Sequence, residues 1–145
     1  MRISLFSVIA MLLFLALMPE HSAAAAPASP KPPYTTEDCE SAQDVPATNA
    51  CFRRNYMAAD AALKILYAKL LAMQDDKNSR DHLTDAQSKW ESFRLAECGF
   101  EIGDQDASSG SMWHTLFNGC LQDQTDARIQ QVQHLIACPV AGAEC

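Results

Sequence analysis

The stretch TNACFRRNYMAADAALKILYAKLLAM, Thr48 to Met73, decides the fold. Phe52, Tyr56, Ala59, Leu63, Leu66, Leu70 and Met73 recur at alternating steps of three and four, with no Gly or Pro between them. That period puts every apolar residue on one face of a helix, so the stretch is a long amphipathic helix whose expected cap is Thr48 or Asn49. The polar run Gln74 to Asp81 breaks the pattern. A second helix follows, with Asp81 as its expected cap, Leu83, Ala86, Trp90, Phe93 and Glu97 on one stripe, and an end near Ile102. Gly103 to Gly110 is rich in Gly, Asp and Ser and reads as a surface loop whose end suits Ser111 as the next cap. The third helix carries Trp113, Leu116, Phe117, Cys120, Leu121, Ile129, Val132 and Leu135 and stops before Pro139. Three helices on short connections favour an all-α, antiparallel up-down-up bundle.

Ahead of the bundle, Arg2 followed by the nearly unbroken apolar run Ile3 to Met18 and the small residues Ser22 to Ala25 reads as a signal peptide, residues 1–25. The run is shorter than the roughly 20 residues that span a bilayer. The first cysteine, Cys39, lies too far downstream for lipid attachment, so the expected product is periplasmic or secreted, with no stable membrane anchor after cleavage. Ala26 to Pro33 holds four prolines and reads as an extended leader with no part in the core. The helical domain is expected over 39–138, after a leader spanning 26–38, and 139–145 is a short tail containing Cys145. The 145 residues carry 11 Lys plus Arg against 18 Asp plus Glu, a formal charge of −7 that argues against gripping phosphates. Nucleic acid is therefore not expected as a partner; an acidic surface attracts a basic protein or simply keeps the chain soluble, the more frequent case.

All six cysteines follow the signal, and an even number in an oxidising compartment points to disulfides. Their spacing lacks a zinc-knuckle pair, so no metal is expected. Folding the second and third helices back across the loop brings Cys98 and Cys120 to similar height. With local bridges the set is Cys39–Cys51, Cys98–Cys120 and Cys138–Cys145; the crossed set Cys39–Cys98 and Cys51–Cys120 stays open. Catalysis finds no support. His82, His114 and His134 form no paired-ligand motif, no nucleophile elbow or phosphate loop exists, and the cysteines are committed, so no catalytic residue and no cofactor is expected.

The remaining polar residues sort into two groups. A hairpin turning near Asn78 sets Asp60 beside Arg94, with Arg128, Gln87 and Thr125 in reach, and such a cluster reads as a structural device that selects one packing. Trp90, Phe93, Trp113 and Phe117 keep the core period, and Met57 and Met73 read as gap fillers. The best binding element is the loop itself: Asp104, Gln105, Asp106, Ser108, Ser109, Gly110 and Ser111. Anchored by a bridge at its base, it would present its side chains at low entropic cost.

Several elements occur in a recognisable order. They are Cys39, N-x-C at Asn49 to Cys51, Tyr56, Ala59 and Asp60, L-x-x-x-Y at Leu63 to Tyr67, A-Q-x-x-W-x-x-F-R-x-x-x-C from Ala86 to Cys98, S-G-S at Ser109 to Ser111, and C-L-x-x-x-T-x-x-R from Cys120 to Arg128. Together they resemble the LprI family of lysozyme inhibitors, the former DUF1311 group, from about Cys39 to Leu135. The resemblance implies a small disulfide-linked helical envelope protein that inhibits lysozyme, its expected basic partner, by direct binding. This chain departs from the namesake in having no lipid-attachment cysteine and in adding Cys138 and Cys145. Two rivals are an immunity or accessory protein for another envelope toxin or hydrolase, and a structural envelope-stress protein with no enzyme target.

Overall fold

A computed structural model describes residues 31–105 and 110–138. Three helices, α1 (Val45–Ala72), α2 (Lys77–Ile102) and α3 (Trp113–Ala137), form an up-down-up bundle. The direction of each is fixed by its partners: Asn49 meets Thr115 and Ser111 at one end of α1 and α3, while Tyr67 reaches back to Thr84 near the opposite end of α2. α1 and α3 are parallel and pack most extensively on each other; α2 runs antiparallel and leans chiefly on α3.

The helix starts differ from those read in the sequence. α1 begins at Val45, not at Thr48: the Asp44 carboxylate accepts the Ala47 N–H at 2.8 Å, and Pro46 occupies the first turn, where its missing N–H costs no hydrogen bond. Asn49 is turned instead toward α3. α2 begins at Lys77 under Asp76, which accepts from the Ser79 N–H at 2.9 Å; Asp81 lies inside the helix. α3 begins after Met112 with no side-chain cap, so Ser111 does not cap it. Gly103 ends α2 at φ 82°, a left-handed backbone that a Cβ would strain.

Leu63, Leu70, Ile129 and Val132 form the buried core of the half near the α1–α2 turn, with Trp90, Leu66 and Leu83 packed around them. Fully burying each such side chain contributes about 1.5–3 kcal/mol. In the other half Cys98, Cys120 and Leu121 are buried beneath Tyr56, Ile102 and Phe117. The buried face of α2 is polar, made by Gln87, Arg94 and the half-cystine Cys98. Phe93 therefore does not enter the core, being 51% exposed, and Met57 and Met73 are exposed rather than filling gaps.

Two disulfides close the half that carries the α2–α3 loop. Cys39–Cys51 and Cys98–Cys120 have Cα separations of 5.6 and 5.7 Å, so the crossed pairing does not form. The expected Cys138–Cys145 bridge falls on a residue outside the described ones. The fold also begins earlier than Cys39. Tyr34 packs on the core and donates from its hydroxyl to Asp126 at 2.7 Å. Glu37 is held by Asn55, whose side-chain oxygen accepts the Glu37 N–H at 2.8 Å while its amide donates to the Glu37 carbonyl at 3.0 Å. Its carboxylate takes a bidentate contact from Arg54 at 2.7 and 2.6 Å.

Candidate functional site

The start of α1, the end of α2 and the start of α3 meet at one end of the bundle, where the described base of the α2–α3 loop, residues 103–105 and 110–112, also lies. Cys98–Cys120 ties the two helices that flank the loop, and side chains fix its base. The Trp113 indole N–H donates to the Gly103 carbonyl at 2.9 Å, and the Asn49 amide donates to the Ser111 carbonyl at 3.1 Å. The Asn49 side-chain oxygen also accepts the hydroxyl of buried Thr115. Gln105 meets the His114 ring at 3.2 Å, and Trp113 stacks on Phe117 with ring centroids 4.6 Å apart. Asp104, Gln105, Gly110 and Ser111 are exposed. Asp106, Ser108 and Ser109 lie outside the described residues.

Two concave surfaces adjoin this base. One is a polar hollow of about 320 Å³ where Arg53 and Asn49 of α1 face His114 and Asn118 of α3. The other is a groove of about 290 Å³ floored by Phe52, Leu116 and Gly119, with Ile102 behind and the carboxylates of Glu101 and Asp123 at its rim. Burial of the carboxylate raises the Asp123 pKa above the usual aspartate range, and the nearby charges of Asp126 and Glu101 push it the same way. Glu101 Oε2 lies 3.3 Å from Cys120 Sγ, a contact without a proton, because a half-cystine has none to donate.

The polar cluster sits deeper, halfway along the bundle. Arg94 is buried and donates from Nη1 to Asp60 Oδ1 at 3.1 Å and to Thr125 Oγ1 at 2.8 Å. Its guanidinium lies between two rings, 4.8 Å from the Trp90 centroid and 5.3 Å from that of Tyr56. Arg128 faces the same Trp90 at 5.6 Å and donates to Gln87 Oε1 at 3.1 Å. Burial works to raise the Asp60 pKa, but hydrogen bonds from Lys64 and Arg94 outweigh it and hold the carboxyl below its ordinary value. Thus Asp60, Arg94 and Thr125 form one linked group and Gln87 with Arg128 a second, joined through the Trp90 face. Arg94 lines neither of the two concave surfaces at the loop end.

Among the described residues, no group of three or more His, Cys, Asp or Glu is placed to hold a metal ion, and no helix is long and apolar enough to cross a membrane. Sequence reasoning did not single out Phe52 with Gly119, or Arg53 with His114, as surface features. Each pair joins α1 to α3, and only the parallel packing of those helices brings its members together. Tyr34 was passed over because prolines precede it and no apolar period reaches it.

The model of the family described as lysozyme inhibitor LprI matches residues 37–132. An uncharacterized protein of Rhizobium meliloti (strain 1021) is 31% identical over 123 residues, covering 77% of this chain and 86% of the relative. No solved structure matches significantly. The matched family is one of bacterial lysozyme inhibitors, non-catalytic binding proteins that are typically periplasmic or secreted. The matched span takes in the three-helix bundle except the last turn of α3, together with both described disulfides and the base of the loop, and the chain belongs to the lysozyme inhibitor LprI family.

Proposed function

We propose that this protein, exported after loss of residues 1–25, binds a peptidoglycan-cleaving lysozyme and blocks it with the end of the bundle that carries the loop from Asp104 to Ser111. The observation that carries the reading is the bracing of that loop. A disulfide joins its two flanking helices, and hydrogen bonds from Trp113 and Asn49 fix its first and last carbonyls. A loop held this way loses little entropy on docking, which is how a small inhibitor converts contacts into affinity.

Chemistry assigns the parts. A lysozyme cleft is a sugar-binding groove with two catalytic carboxyls inside, on a typically basic protein. The serines Ser108, Ser109 and Ser111 and the amide of Gln105 imitate sugar hydroxyls within the cleft. Asp104 and Asp106 belong at the rim, because an aspartate driven against the catalytic acids is repelled. The net charge of −7 steers encounter with a basic enzyme.

The test is titration of the oxidised protein into a panel of lysozymes clearing a peptidoglycan suspension, at low and high salt. Stoichiometric inhibition that weakens with salt is the expected result. Replacing Ser109 and Ser111 together by Trp abolishes inhibition if the loop enters the cleft; full inhibition by that variant rejects loop insertion.

A further inference from the structure

The groove beside the loop base has the chemistry of a side-chain receptor. Its floor is apolar, from the half-buried Phe52 ring and from Leu116, which is 54% exposed. Its rim is anionic, from Glu101 and Asp123, and among the described residues no Lys or Arg forms an ion pair with either. On top of partial desolvation, Asp126 and Glu101 lie close enough to Asp123 to push its carboxyl above the ordinary aspartate range, so a cation arriving at this exposed carboxylate meets several negative charges at once.

Gly119 supplies an independent observation. It lies inside α3 with an ordinary helical backbone, since Gly103 is the residue with positive φ. A Cβ at position 119 would stand 3.6 Å from Phe52 Cδ1 and Cε1, which is normal contact. Neither conformation nor space therefore requires glycine, although glycine is a weaker helix former than alanine. What the missing side chain does is leave the edge of the Phe52 ring open to the groove.

We infer that this groove receives one basic side chain, arginine or lysine, from the inhibited enzyme, its aliphatic stem lying on Phe52 and Leu116 and its charged head meeting Glu101 and Asp123. The inference rests on the proposed function for the identity of the partner. It adds a second anchor next to the loop, and it assigns that anchor to a basic residue outside the catalytic cleft. An aliphatic stem on an aromatic floor with a cationic head at a carboxylate uses both halves of an arginine or lysine side chain. It also commits the acidic character of this end of the molecule to a particular contact rather than to steering alone.

Two experiments separate this inference from the reading it rests on. The first measures inhibition and melting temperature of Gly119→Leu, which fills the groove, and of the Glu101→Gln/Asp123→Asn pair, which removes its charge, with Ile65→Ala, at an exposed position of α1 away from the groove, as a control. Both groove variants weaken inhibition about tenfold or more while inhibition by Ile65→Ala and all the melting temperatures stay close to the parent. Unchanged inhibition by Gly119→Leu overturns the groove as an anchor, and unchanged inhibition by the charge-neutral pair overturns a basic occupant. The second experiment needs no enzyme: N-acetyl-argininamide and N-acetyl-leucinamide are titrated into the isotopically labelled protein. Saturable shifts of the Phe52 and Gly119 amides with the arginine probe, lost in the charge-neutral pair, support the inference even if no lysozyme is inhibited. No saturable shift with the arginine probe, or equal shifts with the leucine probe, overturns it even if lysozyme inhibition is strong.

Discussion

Replacing Arg94 by Ala removes a cation buried between all three helices, and its cost can be worked from the contacts. The guanidinium donates to Asp60 at 3.1 Å and to Thr125 at 2.8 Å and is flanked by Trp90 and Tyr56. Breaking a buried pair by deleting one partner costs about 3–5 kcal/mol, most of it from the charge left behind. Here the low end applies, because Asp60 keeps Lys64 at 2.7 Å and the Thr125 hydroxyl still donates to the Leu121 carbonyl at 2.6 Å. Arg94 Nε is buried without a partner, so the native arrangement already forgoes one hydrogen bond. The expected loss is about 3 kcal/mol, a large share of the 5–15 kcal/mol typical of a small domain. Arg94→Met, which keeps the stem between the rings, should lose about 1–2 kcal/mol less than Ala. Urea denaturation followed by circular dichroism gives the values, provided the slope with denaturant is unchanged. A double-mutant cycle with Asp60→Asn should show a coupling of about 1 kcal/mol or more. A loss below about 1 kcal/mol for Arg94→Ala would refute the structural role and make Arg94 a candidate for binding.

Acid should expose the same pair. The Asp60 pKa is lowered in the folded state, so its contribution is present above the ordinary aspartate value and is lost as pH falls through the lowered one; Asp60→Asn should flatten the stability profile below about pH 4. Asp123 has the opposite sign. Its folded pKa is raised, so ionisation destabilises, and Asp123→Asn should hold or raise the neutral-pH melting temperature while removing the rise in stability seen as pH drops through its titration. Removing Cys98–Cys120 by paired Ser substitutions opens a link of separation 22 and should cost about 3 kcal/mol, measured by the same urea midpoints. Tyr34→Phe deletes a hydroxyl that donates to the Asp126 carboxylate at 2.7 Å and should cost about 1–2 kcal/mol; it should also remove the last phenol to ionise in an alkaline absorbance titration, because burial and Asp126 raise the Tyr34 pKa.

The apolar period from Phe52 to Leu70 made the first helix legible, because its inward positions are the apolar ones. Its start was not legible from that period. The turn between Asp44 and Thr48 is mostly exposed and carries no large residue of the apolar period, and the cap is set by Asp44 and Pro46 rather than by the first large apolar residue. For the same reason Asp76 was hidden in the run Gln74 to Asp81: the first turn of α2 faces water and carries no hydrophobic rhythm. Phe93 was misplaced by a different cause. The inward face of α2 consists of Gln87, Arg94 and Cys98, so the aromatic stripe marks the flank of that helix and not its buried side. The disulfide order was open in sequence because either set satisfies six cysteines, and helix register alone decides between them. The braced loop could be read from composition, whereas the groove at Phe52 and Gly119 depends on two distant segments lying parallel.

The two halves of the bundle are held together by different means, and the proposed function gives a reason. Around Leu63, Leu70, Ile129 and Val132 apolar burial suffices, and no described disulfide is found there. At the loop end the inward residues apart from Leu121 are small or polar, among them Asn55, Thr115 and the half-cystines, while Leu116 and Met112 remain exposed. A core rich enough to stabilise that end would have to withdraw Phe52, Leu116 and the loop base from the surface. Covalent links remove this conflict, since about 3 kcal/mol from each bridge replaces the burial of one or two large side chains. Reduction should therefore act unevenly: hydrogen exchange of the amides near Gly119 should accelerate much more than that of the amides near Ile129. Equal acceleration at both ends would mean that the bridges support the whole bundle alike, and that their placement has no special connection with the binding end.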